Sequence, residues 1–202
     1  MGKIQRPSLK SLIPGLAKDL RLAPAALYER QRALVRADLL HGRPGRGPGS
    51  GVEATPASLA LLFISLLATD SLSQTEEATR ALAKLKCRAG QCRLTGKKTF
   101  GQAVAAVLGS DKLLSNAMFI AARRVTSHSP ASGAWATISY LNPSEDDTPL
   151  FIDELDRAGL PLGRSVFGTG ASWKTEALLH VDATLILPTE WWRGLSPGVT
   201  RE

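Results

Sequence analysis

The stretch that most limits how this chain can fold is residues 56–68, PASLALLFISLLA. Thr55 followed by Pro56 reads as a helix start. The hydroxyl can cap free amides, and the proline's missing N–H costs nothing at the first helical position. Behind it the helix is apolar almost all round, and from Leu59 to Ala68 only Ser65 breaks the run. A helix with one apolar stripe lies on a surface, whereas one that is apolar on every side has to be enclosed. The run is far shorter than the roughly 20 residues that span a bilayer, so the enclosing material must be protein. The expectation is a central core helix or a dimer helix with other elements packed around it.

Other elements can be read on both sides. In residues 9–20, LKSLIPGLAKDL, the residues Leu9, Leu12, Ile13, Leu16, Ala17 and Leu20 fall at helical spacing. Pro14 is tolerable only in a first turn, which predicts a regular helix from near Ile13. RLAP makes a turn, and 25–40 reads as a second helix. Leu27 and Leu34 face inward there, joined by Gln31 and Ala37, with Arg30, Arg32 and Arg36 outward. Residues 41–51, HGRPGRGPGSG, hold five glycines and two prolines. They form an extended loop or hairpin tip rather than a helix or central strand, followed by a short strand-like VEA. Beyond the apolar helix, Ser73 and Glu76 read as a capping box opening a helix to about Cys87. CRAGQCRLTGKK follows as a basic loop. Thr99 and Gln102 read as a second capping box, with a helix through Val107. A Gly109-Ser110-Asp111 break restarts a helix to about Arg124.

From Ser127 the texture changes to SHSPASG, a linker, and all four tryptophans lie beyond it. Residues 134–141 and 180–187 look like strands. Between them Thr148-Pro149 caps a short helix that Gly159 ends. The expected class is mainly α, α+β overall. Its parts are a basic module over 1–58, a helical core or dimerisation region over 59–126, and a small α+β region over 127–202.

Charge separates the first part from the rest. The net charge is +7, and residues 1–50 alone carry it, with ten Lys/Arg against three Asp/Glu. Residues 51–202 hold fifteen of each sign. A charge confined to one segment implies a polyanionic partner for that segment. The opening residues contain no apolar run of signal-peptide length. Two cysteines make no disulfide framework, so a reducing cytoplasm is the expected setting, with no membrane contact.

Residues 13–40, IPGLAKDLRLAPAALYERQRALVRADLL, resemble the helix-turn-helix of winged-helix transcriptional regulators. The resemblance rests on Leu16, Ala17 and Leu20 in the first helix, Leu22 in the turn, and Leu34, Val35, Leu39 and Leu40 at the end of the second. It extends over residues 9–58, since a Gly/Arg-rich turn, VEAT and a proline-started helix follow as a wing would. It implies sequence-specific binding of double-stranded DNA, with the second helix entering a major groove about 12 Å wide. The groove-facing residues would be Ala25, Ala26, Tyr28, Glu29, Arg30, Arg32 and Arg36. Arg43 and Arg46 would be the wing contacts to backbone or minor groove. The family usually has another helix ahead of this motif. Only about eight residues precede it here, so that helix would be truncated or supplied by later helices or another chain. The bland alternative is a helical hairpin with a solvated basic face and a Gly/Pro linker.

No catalytic constellation emerges, and the chain reads as a non-enzyme without cofactor or metal. Cys87 and Cys92 are four residues apart, but His128 is the nearest histidine, and a structural zinc site needs four ligands. They read as reduced thiols. The acidic run Glu145 to Asp156 suits a solvated loop and helix start. GRGPGSG lacks the Gly-Lys-Ser/Thr of a phosphate loop, and Gly168 to Ser172 lacks the order of a nucleophile elbow. His180 reads as packed or exposed on a strand, and Trp191-Trp192 as core closure or a partner anchor.

The leading functional expectation is a bacterial or phage-type transcriptional regulator, a homodimer through the 57–68 helix. One alternative is a phage small-terminase-like packaging or replication protein. Light scattering separates the two, because packaging proteins form rings where regulators form dimers. The other is an adaptor whose basic head binds RNA or acidic protein, separable by competition between duplex DNA and RNA.

Overall fold

The computed structural model describes residues 7–43, 51–123, 134–141, 162–168 and 182–186. The first helix begins at Ser8, whose hydroxyl accepts the Ser11 N–H at 3.2 Å. Helix α1 (Leu9–Asp19) therefore starts one turn earlier than Pro14 predicts, with Pro14 inside it. Proline inside a helix costs about 3 kcal/mol. Burial of Leu9, Ile13, Leu16 and Ala17 on one face outweighs that, at about 1.5–3 kcal/mol per large apolar side chain. Helix α2 (Pro24–Arg36) follows after a short turn and ends before the expected residue 40. Two short strands, β1 (Gly42–Arg43) and β2 (Gly51–Val52), then pair antiparallel.

Helix α3 (Pro56–Ala68) is the centre of the molecule. Thr55 and Ser58 cap it reciprocally. The Thr55 hydroxyl accepts the Ser58 N–H at 3.1 Å, and the Ser58 hydroxyl accepts the Thr55 N–H at 2.8 Å. Its buried residues occupy nearly every side, and it packs against α2, α4 (Thr75–Ala83), α5 (Phe100–Leu108) and two strands of the main sheet. The apolarity that suggested a dimer helix is thus accounted for within one chain.

Three local expectations change. Ser73 and Glu76 do not cap α4. The Ser73 hydroxyl bonds the Ser71 hydroxyl at 2.8 Å, and Glu76 pairs with Arg80 at 3.2 Å along the helix. Helix α4 begins at buried Thr75 without a side-chain cap, and the Thr75 hydroxyl donates to Ser71 O at 3.1 Å. That helix ends at Ala83 rather than near Cys87. Helix α6 (Asp111–Asn116) stops after six residues, and β3 (Ala117–Arg123) replaces the helix expected to Arg124. Short apolar runs fit either period, and pairing on both sides decides this one.

The main sheet is antiparallel, in the order β5 (Leu162–Gly168), β4 (Trp135–Leu141), β3, β6 (Asp182–Ile186). Strands β4 and β6 match the expected 134–141 and 180–187, whereas β5 was not foreseen. The register sets Ile138 between Ile120 and Ser165, and Ala136 between Ala122 and Phe167. These residues share one face, where the Phe167 ring meets Phe100 of α5 at 5.3 Å between centroids. The observed class is α+β. The division expected at residue 126 falls between β3 and β4, neighbouring strands of one sheet. The linker, the 148–159 helix, the acidic run 145–156, His128, His180, Trp191 and Trp192 lie outside the described residues. Among the described residues, no helix is long and apolar enough to cross a membrane.

Candidate nucleic-acid interface

The turn between α1 and α2 is built from the end of α1. Arg21 adopts a left-handed φ of +54°, the Leu20 N–H bonds Leu16 O at 2.9 Å and the Leu22 N–H reaches back to Ala17 O at 2.8 Å. This closes the last carbonyls of α1 and swings the chain into α2. Leu16 and Leu27, both fully buried, hold the two helices together. Position 23, where a cap would stand, is alanine, and Pro24 is the first helical residue. The first amides of α2 thus have no side-chain cap.

The exposed surface of α2 carries Ala25, Ala26, Arg32, Val35 and Arg36, with Tyr28 and Glu29 half-buried beside it. Positions 25, 29, 32 and 36 fall on one helical stripe. Arg32 pairs with Glu29 at 2.8 Å, which partly neutralises that stripe.

Arg30 departs from the expectation. It is 7% exposed rather than outward, and its Nη1 donates to Ser65 O of α3 at 2.8 Å. A groove contact needs the guanidinium in solvent, so Arg30 leaves the set of surface contacts. Its place was readable in principle. Leu27, Arg30 and Leu34 are spaced i, i+3 and i+7, so the buried stripe runs through position 30.

The hairpin pairs Gly42 with Val52 and Arg43 with Gly51. Val52 is buried in the core. A third chain segment joins it, because Ser8 bridges Glu53 antiparallel and the Ala54 N–H donates to Pro7 O at 2.9 Å. The hairpin is therefore stitched to the residue that caps α1. Arg43 lies on β1, and the tip, with Arg46, lies outside the described residues. At the other end of α2, Asp38 is left-handed at φ +55° and the Leu39 N–H bonds Leu34 O at 2.9 Å. Arg80 of α4 donates to Ala37 O there at 3.1 Å.

Cys87 and Cys92 are buried free thiols, and burial is the main cause raising the Cys87 pKa above the ordinary thiol range. A thiol held neutral this way is a poor nucleophile and a poor metal ligand. Among the described residues no three potential metal ligands gather. No protein-family model matches the chain, and no curated protein or solved structure gives a significant match.

Proposed function

We propose that this protein binds double-stranded DNA as a transcriptional regulator, with α2 lying in the major groove and the Gly/Arg hairpin along the adjacent backbone or minor groove. The observation that carries this reading is the joining of a two-helix turn motif to a β-hairpin. A two-helix turn motif exposes Ala25, Ala26, Arg32 and Arg36, and a β-hairpin with Arg43 on its first strand follows directly. The Ser8–Glu53 bridge ties that hairpin to the start of α1. Small alanines at the helix start allow close approach to base edges, and arginines supply bidentate donors for guanine or phosphate. No side chain caps the start of α2, and the positive end of its helix dipole favours phosphate. Helices α3 and α4 pack behind α2. They give the support that an additional leading helix gives in the winged-helix family.

The test is binding to genomic fragments over a salt series, comparing wild type with Arg36→Ala and Arg43→Ala. Each variant is expected to weaken binding several-fold, and each lost phosphate contact to lower the salt slope by about 0.9. Unchanged affinity and slope in both variants would overturn the reading.

A further inference from the structure

The balanced charge of residues 51–202 conceals a second basic segment. Between Glu77 and Asp111 there is no acidic residue, and Arg80, Lys84, Lys86, Arg88, Arg93, Lys97 and Lys98 fall in that interval. Its net charge of +7 equals that of residues 1–50. All of these except half-buried Arg80 are exposed.

The backbone beneath them is fixed rather than floppy. The Cys87 N–H donates to Lys98 O at 2.9 Å, the Cys92 N–H to Lys97 O at 2.7 Å, and the Gly96 N–H to Cys92 O at 2.7 Å. Both cysteine side chains are sunk into the core, which pins the loop from below. Its first limb adds to the outer edge of β5. The Arg88 N–H donates to Val166 O and the Gly168 N–H to Lys86 O, each at 2.8 Å. A loop that served only as a solvated connection would need neither this anchoring nor a single sign of charge. Fixing the chain beforehand removes much of the ordering cost of binding.

Its position completes the argument. Lys97 and Lys98 line a concavity of about 540 Å³ with Thr55, Pro56 and Gln102, beside the start of α3. Thr55 lies three residues beyond Val52, the last residue of the hairpin's second strand. The basic loop therefore shares a concavity with the segment that leads out of the hairpin into α3.

We infer that the loop 84–98 is a second contact surface for the sugar-phosphate backbone of duplex DNA, with Lys97 and Lys98 at its centre and continuous with the hairpin. This rests on the DNA-binding reading above. It makes the footprint longer than α2 and the hairpin alone cover. The contacts would be to phosphate and independent of base sequence, so they would set affinity and salt dependence rather than site choice.

The experiment measures fluorescence anisotropy of a labelled duplex, either a selected genomic fragment or random sequence, across a salt series. Four full-length proteins are compared: wild type, Lys97→Ala/Lys98→Ala, Arg32→Ala/Arg36→Ala and Lys112→Glu. Lys97 and Lys98 enter the loop's hydrogen bonds through backbone atoms, so the alanine variant keeps them. Lys112→Glu removes the same two units of charge from an exposed position on α6. The Lys97/Lys98 variant is expected to lose affinity equally on both duplexes and to lower the salt slope by about 1.8. Lys112→Glu should leave the slope unchanged. A wild-type slope in the Lys97/Lys98 variant, or an equal loss in Lys112→Glu, overturns the inference. An effect at Arg32/Arg36 with none at Lys97/Lys98 overturns it while leaving the α2 reading standing, and the reverse result overturns only the α2 reading. Absence of duplex binding by wild type, or preference for single-stranded RNA in competition, overturns both.

Discussion

Arg30 and Arg32 stand two positions apart on α2 and do opposite work. Arg30 is buried and spans from α2 to a backbone carbonyl of α3, where Ser65 O accepts its Nη1 at 2.8 Å. Hydrogen bonds to charged groups contribute about 1.5–3 kcal/mol, and leaving a buried acceptor without its donor adds to the loss. Arg32 is exposed and pairs with Glu29 along the same helix. Such pairs contribute about 0.3–0.5 kcal/mol. Arg30→Ala is therefore expected to lower the unfolding free energy by about 2–3 kcal/mol. Arg32→Ala should change it by less than about 0.5 kcal/mol. Urea titration of both variants measures the difference, and equal stabilities would show that the Arg30 anchor contributes nothing. The pair also shows where sequence reading fails at this scale. An arginine is placed outward by default, and only the spacing of Leu27, Arg30 and Leu34 argues otherwise. The buried alternative requires a carbonyl acceptor on another helix, and no local pattern reveals Ser65 O.

Both helices of the turn motif end in the same way, on a left-handed residue that is not glycine. Arg21 and Asp38 have φ of +54° and +55°, each followed by a leucine whose N–H reaches back into the helix. A left-handed conformation costs an ordinary residue roughly 1–2 kcal/mol, while glycine returns about 0.4–1 kcal/mol in unfolded-chain entropy. Arg21→Gly is therefore expected to stabilise the protein by about 0.5–1 kcal/mol, read as a rise in melting temperature. Asp38→Gly should gain less, because aspartate tolerates this conformation better and its pairing with His41 at 3.0 Å is lost. A drop in stability for Arg21→Gly would contradict this account of the turn. Elements with polar punctuation were legible in sequence. Thr55-Pro56 begins α3 and Thr99 begins α5, its hydroxyl accepting the Gln102 N–H at 3.5 Å. The turn after α1 and the strands near 135 and 182 were legible too. Elements decided by distant partners were not. Residues 117–123 carry an apolar run that fits either period, and two flanking strands make it β. In β5 the glycines and Arg164 dilute the apolar signal, and its identity comes from β4 on one side and the 86–88 segment on the other.

At the scale of the molecule, the turn motif and the main sheet share a core through α3. On one side α3 receives α2, with Arg30 bonded to it, and on others it packs against α5, β3 and β6. The 86–88 segment pairs with β5, so the basic loop also depends on the C-terminal strands. A cut at residue 126 would follow the texture of the sequence and yet pass through the sheet. It would leave β3 with neither β4 nor β6 and would uncover the side of α3 on which β6 packs. An uncovered backbone edge and an uncovered apolar face both favour association and loss of fixed packing. The full chain is accordingly expected to unfold in one transition, with fluorescence and far-ultraviolet circular dichroism coincident. Fragment 1–126 is expected to unfold broadly and to bind a hydrophobic dye in the absence of denaturant. If the fragment instead melts as sharply as the full chain and binds duplex DNA with the same affinity, residues 1–126 form an autonomous unit and the shared core at α3 carries no stability. The DNA measurement matters as much as the melting curve. Arg32, Arg36 and Lys97 all hang from backbone whose position depends on α3 or β5, so destabilising the sheet is expected to reduce binding without altering one contacting residue.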